Sequence, residues 1–265
     1  MKVLILGLGT IGLAVARFLL EKHLRVWGYD ISADAVVRAR ELGVDASTNW
    51  RDLRMDVYVV CVSTNAVAAV CRRIKQQNML VSVESTVPLG LCRQLYKDCF
   101  GRHVFLVHVP HRYWSEDPLQ HGVDQMRVIG GVNDESLRKG WQFYYAQLNI
   151  LLAPVNSVEV AEMCKLAENA HRYVNIAFAE ELKMICGEKG LSFERVRYAC
   201  NSKWNTQLLE ARDGIGGGCL PKDIKCLKSL TDRNTLLTAA LKVDVLYRAF
   251  LEQSALEVPK KERTT

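Results

Sequence analysis

The sequence predicts an α/β fold in which a doubly wound parallel sheet precedes an all-helical region. Up to about residue 155, short apolar runs rich in Val and Ile alternate with segments of helical periodicity, the pattern of parallel strands joined by helices. Residues 158–189 are helix-rich, without Pro and without Gly before Gly187. We therefore expect two domains, at residues 1–155 and 156–265.

A glycine motif follows the first predicted strand. The apolar run Lys2–Leu6 leads into Gly7-Leu8-Gly9-Thr10-Ile11-Gly12 and a helical pattern, and a second strand over residues 24–30 ends in an acid. In this context the glycines permit a tight turn and the approach of a pyrophosphate to a helix N-terminus. Asp30 can accept hydrogen bonds from ribose hydroxyls but would repel a 2′-phosphate, so the pattern predicts a Rossmann-type site for NAD rather than NADP. The expected cofactor contacts are Gly7, Gly9, Thr10, Ile11, Gly12 and Asp30.

Polar residues follow several later strands, which are predicted over residues 57–62, 80–84, 104–107 and 127–131. Ligands of doubly wound sheets bind beyond the carboxyl ends of the strands. The candidates at those ends are Ser63, Thr64 and Glu84 for the cofactor, Thr86 for catalysis, and His111 and Arg112 for the substrate. For Ser63 and Thr64 the alternative stays open that they only cap the next helix.

Residues 158–189 predict one long helix of about 45 Å. Its apolar stripe consists of Val160, Met163, Ala167, Ala170, Val174, Ala177 and Phe178. Because such a stripe is more than a small domain covers easily, we expect a homodimer. Another face carries Lys165, Asn169 and Arg172 at i, i+4 and i+7, and an ordinary solvated surface would also explain them. Shorter helices are predicted over residues 193–200 and 236–251.

The segment 214–223 reads Gly-Ile-Gly-Gly-Gly-Cys-Leu-Pro-Lys-Asp. Its glycines predict a loop whose backbone passes close to a ligand, so Gly214, Gly216 and Gly217 are candidate substrate contacts. Cys219 is followed by a cation and by Asp223, which indicates a nucleophile in a pocket floor. The alternative is a glycine-rich turn with a buried, inert cysteine.

Composition limits the classes of function. The chain has 265 residues, 49% of them apolar, and a net charge of +6 with dispersed basic residues. We expect no membrane span and no nucleic-acid surface, because no apolar run is long enough and no basic–aromatic stripe occurs. Nine cysteines without zinc-type spacing indicate reduced thiols in the cytoplasm and no metal site. Residues 260–265 are expected to fray.

Three motifs resemble the UDP-glucose/GDP-mannose dehydrogenase family, the NAD-dependent nucleotide-sugar 6-dehydrogenases. Residues 216–223 resemble the family's catalytic-cysteine motif, residues 161–170 its catalytic-lysine helix, and residues 84–90 its Ser-Thr-Val-Pro-Pro-Gly segment. The resemblance covers nearly all of the chain but only the family's first two domains. It implies that the helical region has a 6-phosphogluconate-dehydrogenase-like fold.

The resemblance also implies a chemistry, the oxidation of a sugar or nucleotide-sugar CH2OH to a carboxylate with two NAD+. The thiolate of Cys219 would capture the aldehyde as a thiohemiacetal, and hydride loss would give a thioester that water cleaves. Lys165 and Asn169 would stabilise the negative oxygen that develops. Asp223 would hold or deprotonate a water, and Thr86 would position that water and the nicotinamide end.

The chain departs from the family pattern in three places. Where the family has Asn-Pro-Glu, this chain has Val109-Pro110-His111, so His111 would be the base of thioester hydrolysis or would only bind, and Glu116 is another stand-in. Residues 61–65 run directly into a helix in place of a Thr-Pro loop and a polar insertion. The family's nucleotide-recognising C-terminal domain is expected to be missing.

Three hypotheses for function therefore stay open. The first is a short nucleotide-sugar 6-dehydrogenase. The second is a two-electron dehydrogenase of the 3-hydroxyacid type, in which Lys165 is the acid/base and Cys219 is dispensable. The third is a non-catalytic NAD-binding subunit, against which the intact set of Lys165, Asn169, Cys219 and Asp223 argues.

Overall fold

A computed structural model of the chain describes residues 1–51 and 53–257, so the predicted fraying of residues 260–265 lies outside the described residues. The chain divides into two compact units, Met1–Lys165 and Leu166–Thr265. The domain boundary predicted after residue 155 falls at the end of the last strand, Leu152–Val155. That boundary stays a prediction.

The described part of the first unit contains one sheet of eight strands in the order β3-β2-β1-β4-β5-β6-β7-β8. These are β1 (Lys2–Leu6), β2 (Arg25–Tyr29), β3 (Asp45–Ser47), β4 (Val57–Val60), β5 (Met79–Val83), β6 (Val104–His108), β7 (Arg127–Gly131) and β8 (Leu152–Val155). The topology confirms the predicted α/β, Rossmann-type fold.

One pairing differs from the parallel sheet that the sequence predicts. Strand β7 runs antiparallel to β6, with Val107 opposite Gly131 and His108 opposite Gly130, while the other pairs are parallel. The segment between these two strands carries no helix among the described residues. A parallel pair requires a crossover connection, so without a crossover helix the chain returns antiparallel.

Helices cover both faces of the sheet. They are α1 (Thr10–Glu21), α2 (Ala33–Glu41), α3 (Val67–Cys71), α4 (Leu91–Leu95) and α5 (Asp134–Trp141), with single turns at Thr64–Ala66, Tyr96–Phe100, Gly101–His103 and Gln142–Gln147. The side chain of Ser32 begins α2 by accepting the Ala35 N–H, and that of Asn133 begins α5 by accepting the Ser136 N–H. One buried core contains residues of α1, α2 and the turn after α5, and another contains residues of α3 and α4. The strands are therefore buried on two faces, as in a doubly wound sheet.

The second unit is all-helical in its described residues, as predicted. Helix α6 (Val158–Glu188) begins in the first unit and continues through the second, followed by α7 (Phe193–Asn201), α8 (Cys219–Lys228) and α9 (Thr235–Glu257). No helix in the described ranges combines the length and apolarity needed to cross a membrane.

The apolar stripe predicted for the long helix is partly covered by the chain itself. Ala170 and Ala177 are buried and Val174 is partly buried, in a core with residues of α8 and α9. Phe178 and Ile185 stay exposed, at 56% and 48%. Helices α8 and α9 therefore cover the middle of the stripe, and the homodimer stays a prediction.

Candidate active site

The glycine turn between β1 and α1 has room for a ligand. Gly7 has φ +96, and a Cβ atom there would lie 2.5 Å from the carbonyl oxygen of Cys61. A Cβ on Gly12 would collide with the carbonyl oxygen of Gly7, whereas a Cβ on Gly9 would meet no atom within 4 Å. Gly7 and Gly12 therefore permit close packing, and Gly9 faces open space.

The start of α1 provides donors to that space. Gly9 precedes the helix without a side-chain cap, and Thr10 is exposed at its first position. Uncapped N–H groups at a helix N-terminus attract phosphate oxygens. Ile11 packs against the core, so any contact of Ile11 with a cofactor comes from its backbone. These residues fit the pyrophosphate of NAD.

Asp30 lies directly after β2 and fixes the glycine turn. Its Oδ2 accepts the Leu8 N–H at 2.6 Å and its Oδ1 accepts the Ser32 N–H at 2.8 Å. A carboxylate has about four lone-pair positions, so each oxygen retains one for a ribose hydroxyl. Asp30 can therefore hold the turn and bind the ribose at once.

The hydroxyls after β4 and β5 link the two strand ends by donating to backbone carbonyl oxygens. The Thr64 hydroxyl donates to the Thr86 carbonyl oxygen at 2.8 Å, and the Ser85 hydroxyl donates to the Val62 carbonyl oxygen at 2.6 Å. Ser63 is exposed and precedes the turn Thr64–Ala66 without a side-chain cap. The capping alternative is therefore wrong for Ser63, and the Thr64 hydroxyl has at least one role beyond capping. The half-buried Thr86 is anchored by its backbone, which leaves its side chain for a ligand.

Glu84 is the centre of a buried polar cluster. Its carboxylate accepts hydrogen bonds from Arg127, at 3.1 Å, and from the Tyr144 hydroxyl, and it contacts Nε2 of His111. Burial acts to raise the pKa of Glu84, but His111 and Arg127 outweigh it and lower that pKa to about 2. Both carboxylate oxygens are thus engaged, and the predicted contact of Glu84 with a cofactor is left to its backbone.

His111 lies on the segment after β6 and is 7% exposed. Burial, followed by the charge of Arg127, lowers the pKa of His111, and Lys165 on α6 acts in the same direction. The His111 ring therefore stays neutral to a lower pH than an ordinary imidazole. The guanidinium of Arg112, the next residue, donates to the Met126 carbonyl oxygen at 3.0 Å.

Within the described ranges, one group of side chains has the spacing of a metal site. It consists of Cys61, Glu84 and His111, whose ligand atoms lie within 4.8 Å of one another. Arg127 lies 3.1 Å from the same Glu84 oxygen that contacts His111 and would repel a cation. Burial also raises the pKa of the Cys61 thiol well above its ordinary value. Glu84 therefore forms an ion pair with Arg127, and these surroundings disfavour a metal ion.

In the second unit, Cys219 is exposed and begins α8. The alternative of a buried cysteine is therefore wrong, and the predicted glycine loop ends before Cys219, because α8 already starts there. Pro221 is tolerated in the first turn, where the N–H groups have no helical partner. The N-terminus of a helix stabilises nearby negative charge.

Asp223 follows Cys219 by one turn of α8 and is buried. Its Oδ2 accepts a hydrogen bond from Nδ2 of Asn169 at 2.5 Å, and its Oδ1 lies 2.8 Å from Nζ of Lys222. Lys165 is half-buried on α6, four residues before Asn169. The structure thus brings Asn169 and Asp223 into direct contact.

The glycines before α8 have different surroundings. Gly214 has φ +88, and a Cβ atom there would lie 2.7 Å from the Arg248 guanidinium. Gly216 and Gly217 would each accept a Cβ without a neighbour within 4 Å, and Gly217 has φ +80. The segment around these two residues faces open space, which suits the approach of a substrate.

Sequence reasoning missed four charged or polar residues that hold these sites together. They are Arg127, Tyr144, Glu162 and Asp244. Glu162 accepts the N–H groups of Gly90 and Cys92 at 2.5 and 2.8 Å and so fixes the start of α4. One signal could have indicated such residues, a charged residue among the apolar positions of a predicted helix or strand. Glu162 and Asp244 are examples, because a charged residue is buried only when it has partners.

Comparisons with known proteins agree with the motifs. Residues 159–244 match the sequence profile of the UDP-glucose/GDP-mannose dehydrogenase family, central domain. The chain is 26% identical over 296 residues to a UDP-N-acetyl-D-mannosamine dehydrogenase of Methanococcus maripaludis, covering 98% of this chain and 69% of the relative. Across five such relatives the chain spans between 59% and 69% of their lengths.

Solved structures share the fold. A UDP-D-ManNAc dehydrogenase from Pyrococcus horikoshii superposes with a TM-score of 0.89 at 24% identity, over 97% of this chain and 71% of that one. A 3-hydroxyisobutyrate dehydrogenase from Mycobacterium tuberculosis superposes with a TM-score of 0.76 at 14% identity, over 95% of this chain and 94% of that one. At these identities the solved structures show a shared fold, and the match of residues 159–244 to the central-domain profile agrees with the cysteine and lysine motifs.

Proposed function

We propose that the chain is an NAD-dependent dehydrogenase that oxidises the primary alcohol of a sugar, carried by a nucleotide, to a carboxylate. The observation that carries the proposal is the exposed Cys219 at the start of α8, one turn before a buried Asp223 that accepts a hydrogen bond from Asn169. A thiol with donors and a carboxylate close by suits covalent capture of an aldehyde.

NAD would be held by the glycine turn of the first unit. The open space at Gly9 and the uncapped start of α1 suit the pyrophosphate, and Asp30 suits the adenosine ribose. When bound, NAD+ supplies the acceptor for a hydride from the substrate carbon. The charge of Asp30 would exclude the 2′-phosphate of NADP+.

The chain's own residues would carry the remaining steps. The thiolate of Cys219 adds to the aldehyde carbon, and the resulting hemithioacetal oxygen bears the negative charge until it takes a proton. Loss of a hydride from that carbon to a second NAD+, together with loss of the hydroxyl proton, gives a thioester, and hydrolysis by water then releases the carboxylate, the thiolate and two protons. Lys165 and Asn169 would stabilise the charged oxygens. Asp223, held by Asn169 and Lys222, would orient the attacking water.

His111 would accept a proton from that water. The contact between its Nε2 and Glu84 fixes the ring, and its lowered pKa keeps it neutral and able to act as a base. Thr86 would contact the nicotinamide end or the water, since its carbonyl oxygen already binds Thr64. Arg112, Gly216 and Gly217 would contact the substrate.

A second candidate function is the two-electron oxidation of a 3-hydroxyacid. It is favoured by one observation, the match to the 3-hydroxyisobutyrate dehydrogenase over 95% of this chain and 94% of that one. In that reaction Lys165 would be the acid/base and Cys219 would be dispensable.

Stoichiometry separates the two candidates. The purified protein is supplied with NAD+ and a panel of UDP-, GDP- and unactivated sugars and 3-hydroxyacids, and NADH is counted at substrate exhaustion. Two NADH for each sugar, together with loss of carboxylate formation in Cys219→Ser, are expected. One NADH for each 3-hydroxyacid, unaffected by Cys219→Ser, would establish the second function instead.

We further propose that the protein works as a cytoplasmic homodimer. The exposed Phe178 and Ile185 are seven residues apart on α6 and so lie on one face of that helix. Exposed apolar residues grouped on one face support an interface with a second copy.

A further inference from the structure

One residue of the glycine-rich segment, Ile215, is held at both of its backbone polar groups by helix α9. Its N–H donates to Oδ1 of Asp244 at 2.7 Å, and its carbonyl oxygen accepts from the Arg248 guanidinium at 2.9 Å. Asp244 and Arg248 are one helical turn apart and form an ion pair at 3.2 Å. Asp244 and Arg248 therefore hold the Ile215 backbone at both its N–H and its carbonyl oxygen, and these two hydrogen bonds form the grip of α9 on Ile215.

Ile215, the residue held by this grip, lies four residues before Cys219. The side chain of Ile215 is 3% exposed and packs in the same core as Ile224 of α8. Gly214 leaves space for the Arg248 guanidinium, which a Cβ atom there would contact at 2.7 Å. Residues 216–218 therefore connect two fixed points, Ile215 at one end and helix α8 at the other. The position of Cys219 depends on both anchors.

A third ionisable group, Glu180, interacts electrostatically with Asp244 and Arg248. Glu180 on α6 is fully buried, and in the described part of the chain neither carboxylate oxygen has a hydrogen-bond partner. The groups that act on it are Asp244 and Arg248 of α9, and Tyr173 of α6 is also affected by its charge. Tyr173 in turn donates to Oδ2 of Asp244 at 3.3 Å. Glu180 and Asp244 are therefore two buried carboxyl groups close enough to affect each other, and the Arg248 guanidinium pairs with Asp244 and acts on Glu180 by its charge alone.

We infer that Asp244 and Arg248 are positioning residues for Cys219, and that ionisation of Glu180 loosens their grip on Ile215. An uncharged Glu180 leaves Arg248 to Asp244 and Ile215. A charged Glu180 repels Asp244 and competes for Arg248, which weakens both hydrogen bonds to the Ile215 backbone. The catalytic consequence rests on the proposed role of Cys219, but the loosening itself does not.

The pH range follows from the surroundings of Glu180. Burial, followed by the charge of Asp244, raises its pKa to about 7, and Arg248 offsets this in part. The group is therefore uncharged in mildly acidic solution and becomes charged as the pH rises through neutrality. The grip should be tight at low pH and looser at high pH.

Alkylation of Cys219 tests the inference without substrate or cofactor. Iodoacetamide is applied to the full chain at several values between about pH 6 and about pH 8.5, and the rate at the Cys219 peptide is measured by mass spectrometry. Because alkylation of any thiol speeds up as the pH rises, each rate is divided by that of Glu180→Gln at the same pH. The matched control is Glu181→Gln, which changes the exposed neighbour on α6.

The expected ratio of wild type to Glu180→Gln is near one at low pH and rises by about twofold or more at high pH, because only the wild type gains a charge. Glu181→Gln should follow the wild type. Asp244→Asn keeps an acceptor for the Ile215 N–H but weakens the hold on Arg248, and should alkylate faster than wild type throughout. A flat ratio would overturn the role of Glu180, and an unchanged rate in Asp244→Asn would overturn the grip. Either result leaves the NADH stoichiometry, and so the proposed function, untouched.

Discussion

The amide nitrogen of Asn169 donates a 2.5 Å hydrogen bond to Oδ2 of Asp223, which joins α6 to α8 within the second unit. Asp223 is 1% exposed, so this bond replaces one that water would otherwise provide. An amide in this position orients the carboxylate. The bond makes Asn169 and Asp223 one hydrogen-bonded pair.

Replacing Asn169 by Ala should lower kcat by about a hundredfold, because it removes an oxyanion donor and leaves a buried carboxylate oxygen unpaired. The rate of NADH formation at saturating substrate measures the effect. Arg172→Ala, at an exposed position of the same helix, is the control and should keep the wild-type rate. An unchanged kcat in Asn169→Ala would exclude Asn169 from the reaction.

Cofactor preference should depend on the charge of Asp30. The wild type should use NAD+ far better than NADP+, since a carboxylate at the end of β2 repels a 2′-phosphate. Asp30→Asn should narrow the gap while keeping an acceptor for the Leu8 N–H, which Asp30→Ala would lose. The ratio of kcat/KM for the two cofactors measures this. Equal use of both by the wild type would refute the assignment.

Thioester hydrolysis should persist below the ordinary imidazole pKa. Since burial lowers the pKa of His111 from 6.5, its neutral form dominates at pH 6.5, where an exposed imidazole would be half protonated. An acyl adduct on Cys219 should therefore accumulate only at clearly lower pH in the wild type, and at every pH in His111→Ala. Intact-protein mass spectrometry during turnover detects it. An unmodified Cys219 in His111→Ala would show that His111 only packs or binds.

Glu180→Gln should stabilise the protein at and above neutral pH. A carboxyl whose folded-state pKa is raised from 4.5 to about 7 contributes stability below pH 4.5 that is lost as the pH rises through 7. Gln does not ionise, so the variant keeps the stability that the wild type loses. Its free energy of unfolding should exceed that of the wild type by on the order of 3 kcal/mol at pH 8. Thermal melts at about pH 5 and about pH 8, with Glu181→Gln as control, measure the difference. A gain of equal size at both pH values would point to packing instead.

The homodimer should depend on the exposed face of α6. Paired replacement of Phe178 and Ile185 by Asp should yield monomers, because two buried charges would face each other across the interface. Light scattering at micromolar concentration measures the mass, and Glu181→Gln on the same helix should leave it unchanged. A wild-type monomer would rule the proposal out.

The fold and the motifs were predictable because they depend on local pattern. The glycine turn after β1, Asp30 and the long helix α6 each follow from periodicity or from φ requirements within a few residues. The start of α8 at Cys219 was not predicted, since four glycines and a proline indicate a loop and only packing of Ile224 draws the segment into a helix.

The buried partners were not predictable for a different reason. Glu84 and Arg127 are 43 residues apart, and Ile215 and Asp244 are 29 apart. No periodicity connects such positions, so an acid at a strand end suggests a ligand contact although tertiary packing has already paired it. The lowered pKa of His111 belongs to the same class, because it arises from burial beside Arg127.

The hydrogen bonds of Glu162 decide where the gene could be cut to produce the dinucleotide-binding half alone. A recombinant fragment that ends at residue 155 would leave the N–H groups of Gly90 and Cys92 without their acceptor. It would also lose the ion pair of Arg93 with Glu159 and the fully buried Val158 and Ala161. The first two turns of α6 are thus part of the sheet's own structure, and a fragment that extends through Lys165 is the shortest that keeps them.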